Sequence, residues 1–170
     1  MTGPATEDRR LRWFNDLPGD EAVAELLAVC HSRRWAKQVA AGRPYADVAE
    51  LQRAADEVWT QLDPDDWREA IEAHPRIGER GGGSADWSRQ EQAGVGAAGE
   101  DVQAAIARGN AEYERRFGHV FLISAAGRSA EEILANLQAR LDNDPDTELR
   151  VAAEEHRRIT RLRIERLVQG

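Results

Sequence analysis

Hydrophobic residues along this chain recur at intervals of three and four, the period of a helix with one buried face. Between Asp20 and Ala41 the pattern sets Ala22, Leu26, Val29 and Val39 on one apolar face. It predicts a single helix there, opened by Pro18-Gly19 and closed by Gly42-Arg43-Pro44. A second helix is predicted from about Tyr45 to Leu62, through Val48, Leu51, Ala55, Val58 and Trp59. Asp63 then has the character of an N-cap, with Pro64 at the first helical position and Asp65 and Asp66 in the first turn. The helix that follows carries Trp67, Ala70 and Ile71. It must end near His74, because Pro75 disfavours helical geometry at the residue before it.

Gly81-Gly82-Gly83 marks a loop from Gly78 to Ser84, too short for a domain linker. Helix is expected again from Trp87 to Ala97, a pause at Gly99, and helix from about Glu100 to Phe117, with Gly118 as C-cap. His119-Val120-Phe121-Leu122-Ile123-Ser124 is the one β-like run. A single strand cannot build a sheet, so the expectation is extended chain packed inside a helical domain. Ser129 and Glu132 make a capping box for a helix from Ala130 to Asn143, and the last helix starts at Asp144-Pro145 and runs to about Gln169. The pattern predicts one compact all-α domain of seven or eight helices over residues 1–170, with one extended segment near 119–124 and residues 1–11 as a flexible tail.

Composition narrows the function. A chain of 170 residues can bury a real core without staples. The single cysteine, Cys30, forbids an intrachain disulfide and lies near an apolar stripe, which places it in the core. With 23 Lys+Arg against 31 Asp+Glu the net charge is −8, which argues against a nucleic-acid partner. No apolar run approaches the ~18 residues of a membrane span, so no membrane partner is expected. Met1 to Arg12 has no apolar core of a signal peptide, and Val168-Gln169-Gly170 is not a peroxisomal address, so the expected location is the cytoplasm. Lys37 is the only lysine, so no other residue could form a Schiff base.

Three places can carry chemistry. The first is His74-Pro75-Arg76-Ile77-Gly78-Glu79. A histidine at a helix end followed by proline has its backbone pinned, and its imidazole titrates near working pH; it either serves as a proton donor and acceptor or merely caps the helix carbonyls. The second is Ser88-Arg89-Gln90-Glu91-Gln92. On a helix, Ser88, Glu91 and Gln92 share a face, either a solvated one or one that holds a flat, hydrogen-bond-rich ligand such as a ureide. The third is the stripe Leu149, Ala152, His156, Ile159, Arg163, Leu167 in the last helix. Arg163 interrupts an apolar face, so it pairs with a protein carboxylate, points at a ligand, or moves to the rim of a rival stripe through Leu162. His119 and His156 read as surface or satisfied core residues, and the five Trp as core or interface, with Trp87 a candidate pocket wall. Dinucleotide and phosphate-loop fingerprints are absent, and His74 and Glu79 are five apart, awkward for two metal ligands on one helix.

At these sites the chain resembles the 2-oxo-4-hydroxy-4-carboxy-5-ureidoimidazoline (OHCU) decarboxylases of urate breakdown. The resemblance is carried by His74-Pro75-Arg76-Ile77-Gly78-Glu79, by Ser88-x-x-Glu91-Gln92, and by Asn110-x-x-Tyr113-x-x-x-Phe117-Gly118. It continues through Phe121-Leu122-Ile123 with Gly127, Ile133-Leu134-x-x-Leu137-x-x-Arg140-Leu141-x-Asn143, and Glu155-x-x-x-Ile159-x-x-Leu162-Arg163. Upstream, Phe14-Asn15 with Leu17, Cys30-x-Ser32-x-x-Trp35 and Asp66-Trp67-x-x-Ala70 agree. The resemblance implies an all-α, usually homodimeric enzyme that converts OHCU to (S)-allantoin and CO2 with no metal and no organic cofactor. It implies His74 as catalytic acid/base with Glu91 beside it. Pro75, Ser88 and Gln92 would line or hold the substrate, and backbone groups of Phe121, Leu122, Ile123, Ser124 and Ala125 would hydrogen-bond the ring. Arg163 would meet a polar or anionic part of the substrate. The rival readings are a non-catalytic helical module that binds ureides or purines or serves an interaction, and a metal-dependent amidohydrolase, which lacks a ligand set.

Overall fold

The structure, a computed structural model, describes residues 4–77 and 99–169, with side chains from residue 9. Among the described residues there are eight helices and no strand. They are α1 (Pro4–Asp16), α2 (Gly19–Val29), α3 (Arg33–Ala41), α4 (Val48–Gln61), α5 (Pro64–Glu72), α6 (Glu100–Phe117), α7 (Ala130–Arg140) and α8 (Pro145–Gln169). The all-α expectation holds. The glycine loop at 78–84 and the helix expected over 87–97 lie outside the described residues. The chain forms two compact units: Met1–Ala70 with Arg157–Gly170, and Ile71–His156.

In the first unit the chain is already helical from Pro4, where the sequence pattern suggests a tail, and Leu11 and Phe14 are buried. One side chain secures two helix ends. The Arg43 guanidinium donates through Nη1 to the carbonyls of Phe14 and Leu17, both at 2.8 Å, and through Nε to Ala40 at 3.0 Å. These carbonyls have lost their helical partners, and a cation at a helix C-terminus also meets the dipole favourably. Asn15 pairs with the backbone of Tyr45 in both directions, at 2.9 and 3.0 Å.

The single helix expected from Asp20 to Ala41 is in fact two. Cys30 is extended (φ −143°), and the Ser32 side chain accepts the Trp35 backbone N–H at 3.2 Å as the N-cap of α3. A hydroxyl that bonds a backbone N–H three residues on competes with helix continuation, and such a cap stabilises by about 1 kcal/mol. The break seats Trp35, whose indole N–H donates to the Ala55 carbonyl at 3.1 Å. Downstream, α2 packs on α3 and α3 on α4. Helix α4 begins at Val48 instead of Tyr45, because Asp47 caps it through the Glu50 N–H at 2.8 Å. Asp63 caps α5 as expected, accepting from the Asp66 N–H at 3.1 Å.

The second unit is centred on α6 and α7. Its core comprises Ile77, Ile106, Tyr113, Phe121, Ile123, Ala125, Ala130, Ile133 and Leu137. Gly109 permits the close approach of the two helices: a Cβ there would lie 2.5 Å from Leu137 Cδ2. Gly118 ends α6 in the left-handed region (φ 78°), as its place in the sequence predicts. Residues 120–125 then belong to no helix or strand, and Ser129 caps α7 through the Glu132 N–H at 3.2 Å. Asp144 caps α8 through the Thr147 N–H at 3.1 Å.

Cys30 is buried at the α2–α3 break, as expected of a core thiol. Burial pushes it up to about 12, against the lowering effects of the Ser32 backbone, the Thr160 hydroxyl and the Arg163 charge. An unfolded thiol titrates near pH 8.5, so across the interval from about 9 to 12 the unfolded chain has lost a proton that the folded chain keeps. The stability this thiol contributes is complete below pH 8.5 and is lost as pH rises, by about 1.4 kcal/mol per pH unit within that interval. Cys30→Ala is expected to remove that component of the slope in urea unfolding between pH 9 and 11; an unchanged slope would exclude the buried thiol as its source.

Candidate active site

The His74 segment is held on both sides. Helix α5 stops at Glu72, and the His74 N–H still donates to the Ile71 carbonyl at 3.1 Å. Pro75 follows, and Ile77 is buried in the core of the second unit. The Ile77 carbonyl accepts from Asn110 Nδ2 at 3.1 Å, and Arg76 forms an ion pair with Glu114, Nε to Oε1 at 2.5 Å. The His74 backbone is therefore fixed, and both His74 and Pro75 are half-buried. The His74 ring meets His156 edge to face, with ring centroids 4.8 Å apart and planes at 89°. His156 is fully buried on α8, a core histidine as one of the sequence readings has it, but its contact with His74 is not legible in the sequence.

The irregular segment Phe121–Ala125 is buried throughout. Its peptide groups are held by side chains instead of by a neighbouring strand. Arg140 Nη1 donates to the Leu122 carbonyl at 2.7 Å, and its guanidinium lies 4.6 Å from the Phe121 ring centre. Arg128 Nε donates to the Ser124 carbonyl at 3.0 Å, and Glu155 Oε2 accepts the Ser124 N–H at 3.1 Å. The Ala125 carbonyl accepts the Arg128 backbone N–H at 3.1 Å. Among the described residues, the N–H and carbonyl of Ile123 have no hydrogen-bond partner.

Behind this segment sits a buried ionic cluster. Glu148 is fully buried and accepts from Arg140 Nε at 2.7 Å, from the Tyr113 hydroxyl at 2.6 Å and from Asn143 Nδ2 at 3.0 Å. A buried carboxylate is tolerated only when paired and hydrogen-bonded, and here both oxygens are used. Burial, and then the bond to Glu148, push the Tyr113 phenol far up, so it remains a donor at all ordinary pH.

On α8, Arg163, Ile159 and Leu167 of the expected stripe are buried in the first unit, and Leu149, Ala152 and His156 in the second. The rival stripe through Leu162 is not the one realised, since Leu162 is only half-buried. Arg163 Nη1 donates to the Val29 carbonyl at 3.3 Å, at the C-terminus of α2 where the break leaves that group outside the helical ladder.

Of the expected site residues, the structure describes His74, Pro75, Phe121 to Ala125 and Arg163. It brings His74 onto His156 and pins Leu122, Ser124 and Ala125, with Glu155 and His156 consecutive on α8. Arg163 belongs to the first unit. Ser88, Glu91, Gln92 and Trp87 lie outside the described residues. Sequence reasoning missed Arg140, Glu148 and Glu155 as a supporting shell. The available signal was Glu148 and Glu155 seven apart, two turns, beside the buried stripe of α8.

The described residues form a helical scaffold without a sheet, with a half-buried histidine at a proline-terminated helix end and a buried irregular segment clamped by side chains. The chain belongs to the OHCU decarboxylase family, which it matches over residues 15–165. It is 33% identical over 152 residues to 2-oxo-4-hydroxy-4-carboxy-5-ureidoimidazoline decarboxylase of Amia calva, covering 86% of this chain and 84% of that protein. It is 34% identical over 149 residues to the uric acid degradation bifunctional protein TTL of Arabidopsis thaliana, covering 84% of this chain but 46% of that protein. The chain thus spans less than half the length of this bifunctional relative. A solved OHCU decarboxylase, crystallised in the presence of (S)-allantoin, superposes with a TM-score of 0.77 at 31% identity, over 86% of this chain and 98% of the other.

The buried cluster makes a quantitative prediction. Arg140→Met strands the Glu148 carboxylate and is expected to destabilise the fold by about 3–5 kcal/mol. Adding Glu148→Gln should recover part of that loss, so that the double variant costs at least about 1 kcal/mol less than the sum of the singles in urea unfolding. Strict additivity would show that the two side chains are not coupled.

Proposed function

We propose that this chain decarboxylates OHCU to (S)-allantoin and CO2 in urate degradation. The observation that carries the reading is His74: its backbone is fixed between a helix end and Pro75, inside the His-Pro-Arg-Ile-Gly-Glu segment of a chain that matches the OHCU decarboxylase family over residues 15–165. The reaction breaks the bond between ring carbon 4 and its carboxylate. The electron pair forms a C4=C5 bond and passes onto the nitrogen of the ring C=N, which takes a proton; the 4-hydroxyl then gives up its proton to become the product carbonyl as a proton adds at carbon 5, which carries the ureido group. The substrate's own unsaturation accepts the electrons, so the protein needs to orient the carboxylate out of the ring plane, stabilise charge and supply a proton to one face. In this reading no metal or organic cofactor takes part.

His74 supplies that proton, and delivery from one side makes one enantiomer. Glu91 acts on the imidazole through its charge, keeping it protonated or orienting it, and with Gln92 holds the ureido and ring groups. Ser88, Gln92 and Pro75 line the substrate's place, and Phe121–Ala125 offers backbone groups to the ring. The clamps on Leu122, Ser124 and Ala125 favour the peptide groups of Phe121 and Ile123 for that contact, since these are not engaged by described residues. Arg163 meets the substrate carboxylate or a ring carbonyl; its planar fork suits either. The working form is a cytoplasmic homodimer whose partner molecule is the substrate. Among the described residues no helix is long and apolar enough to cross a membrane.

The test follows allantoin by circular dichroism, with OHCU generated in the cuvette from urate by urate oxidase and hydroxyisourate hydrolase. Wild type is expected to give fast appearance of one enantiomer. His74→Asn should lower kcat about 10²–10⁴-fold while keeping the fold, leaving slow racemic product. Arg163→Ala should lower kcat/KM at least about tenfold, the loss of one hydrogen bond to a charged group. Slow, optically inactive product with wild type would overturn the decarboxylase reading and favour a ureide-binding module.

A further inference from the structure

The backbone of His74 is fixed by the Ile71 carbonyl and by Pro75, but a backbone does not fix an imidazole plane. The terminal torsion of a histidine is broad, so the ring can swing unless something packs against it. A proton donor that must reach one face of a flat ring cannot tolerate that freedom. In the second unit His156 is set against the His74 ring, with centroids 4.8 Å apart and planes perpendicular at 89°. Perpendicular aromatic pairs at this separation are a preferred arrangement, in which the edge of one ring meets the face of the other. His156 is itself fully buried on α8, one residue after Glu155, whose carboxylate holds the Ser124 N–H at 3.1 Å. Its ring therefore has a rigid base.

We propose that His156 is a positioning residue that fixes the ring plane of His74 by this edge-to-face contact, and so sets the direction in which His74 delivers its proton. The inference rests on the decarboxylase reading for its catalytic consequence, but the contact itself can be tested without substrate. What it requires of residue 156 is a flat ring of similar size. Titration of His156 is not part of the role.

The experiment compares wild type with His156→Leu and His156→Phe in two measurements. In the allantoin assay, His156→Leu should lower kcat about 10–100-fold, the scale of a misplacement near 1 Å, with KM within about twofold of wild type. His156→Phe keeps a ring edge and face, and should restore kcat to within about threefold of wild type. In NMR spectra of histidine-labelled protein without substrate, the His74 ring protons should show an NOE to the ring of residue 156 and a ring-current shift. Both should persist in the Phe variant and vanish in the Leu variant. Equal losses of kcat in both variants would place the effect in the His156 nitrogens and overturn the ring-plane role. Wild-type kcat in the Leu variant would overturn it too. If the Leu variant does not fold, absence of the inter-ring NOE in wild type, or loss of kcat in a folded Phe variant, overturns the proposal. An inactive wild type that still shows the NOE would instead mean that the decarboxylase reading has failed and the contact stands.

Discussion

The second unit is organised around one buried charge pair, Arg140 with Glu148. Helices satisfy their own peptide groups, but a stretch of irregular chain inside a helical core has neither helix nor sheet to pair with, and each orphaned peptide group would cost stability. Arg140 resolves this for Leu122 by donating to its carbonyl at 2.7 Å. It can be buried there only because Glu148 neutralises it, and Glu148 only because Tyr113 and Asn143 complete its hydrogen bonds. Arg128 and Glu155 do the same for Ser124. An irregular segment is in this way held in place by charged side chains from α7, α8 and its own turn.

The consequence for chemistry is preorganisation. A segment that offers peptide groups to a small, flat ligand is useful only if those groups are already in position before the ligand arrives, since ordering them on binding would consume affinity. The clamps commit some peptide groups to the protein and leave those of Phe121 and Ile123 uncommitted among the described residues. The same turn of α8 that supplies Glu155 supplies His156, so the strut behind the irregular segment and the ring against His74 belong to one rigid element.

In the first unit the organising event is the interruption between α2 and α3. Ser32 captures the Trp35 N–H, Cys30 turns extended, and the Val29 carbonyl is left at a helix terminus. Arg163 takes that carbonyl at 3.3 Å, which accounts for an arginine inside an apolar stripe without a carboxylate being required for every part of its fork. The buried Cys30 thiol beside it is held protonated by burial, so it is a packing group and not a nucleophile at ordinary pH.

The sequence by itself determined what is local. The three-and-four period of apolar residues, the caps at Asp63, Ser129 and Asp144, and the helix ends at Pro75 and Gly118 each act within a few residues, and each is where the pattern puts it. The family was also legible, because its signature segments are contiguous runs such as His74 to Glu79. The break within Asp20–Ala41 is hidden in the pattern because apolar periodicity continues nearly in phase across it; the competition of the Ser32 hydroxyl for a backbone N–H stops the helix. What tertiary structure alone decided are the contacts between residues far apart in the chain: His74 with His156, Tyr113 with Glu148, Ser124 with Glu155, Arg163 with Val29. A buried histidine or glutamate on a helix stripe has the same local pattern whatever it touches. Its partner is set by how distant elements pack, and that packing is a property of the whole core.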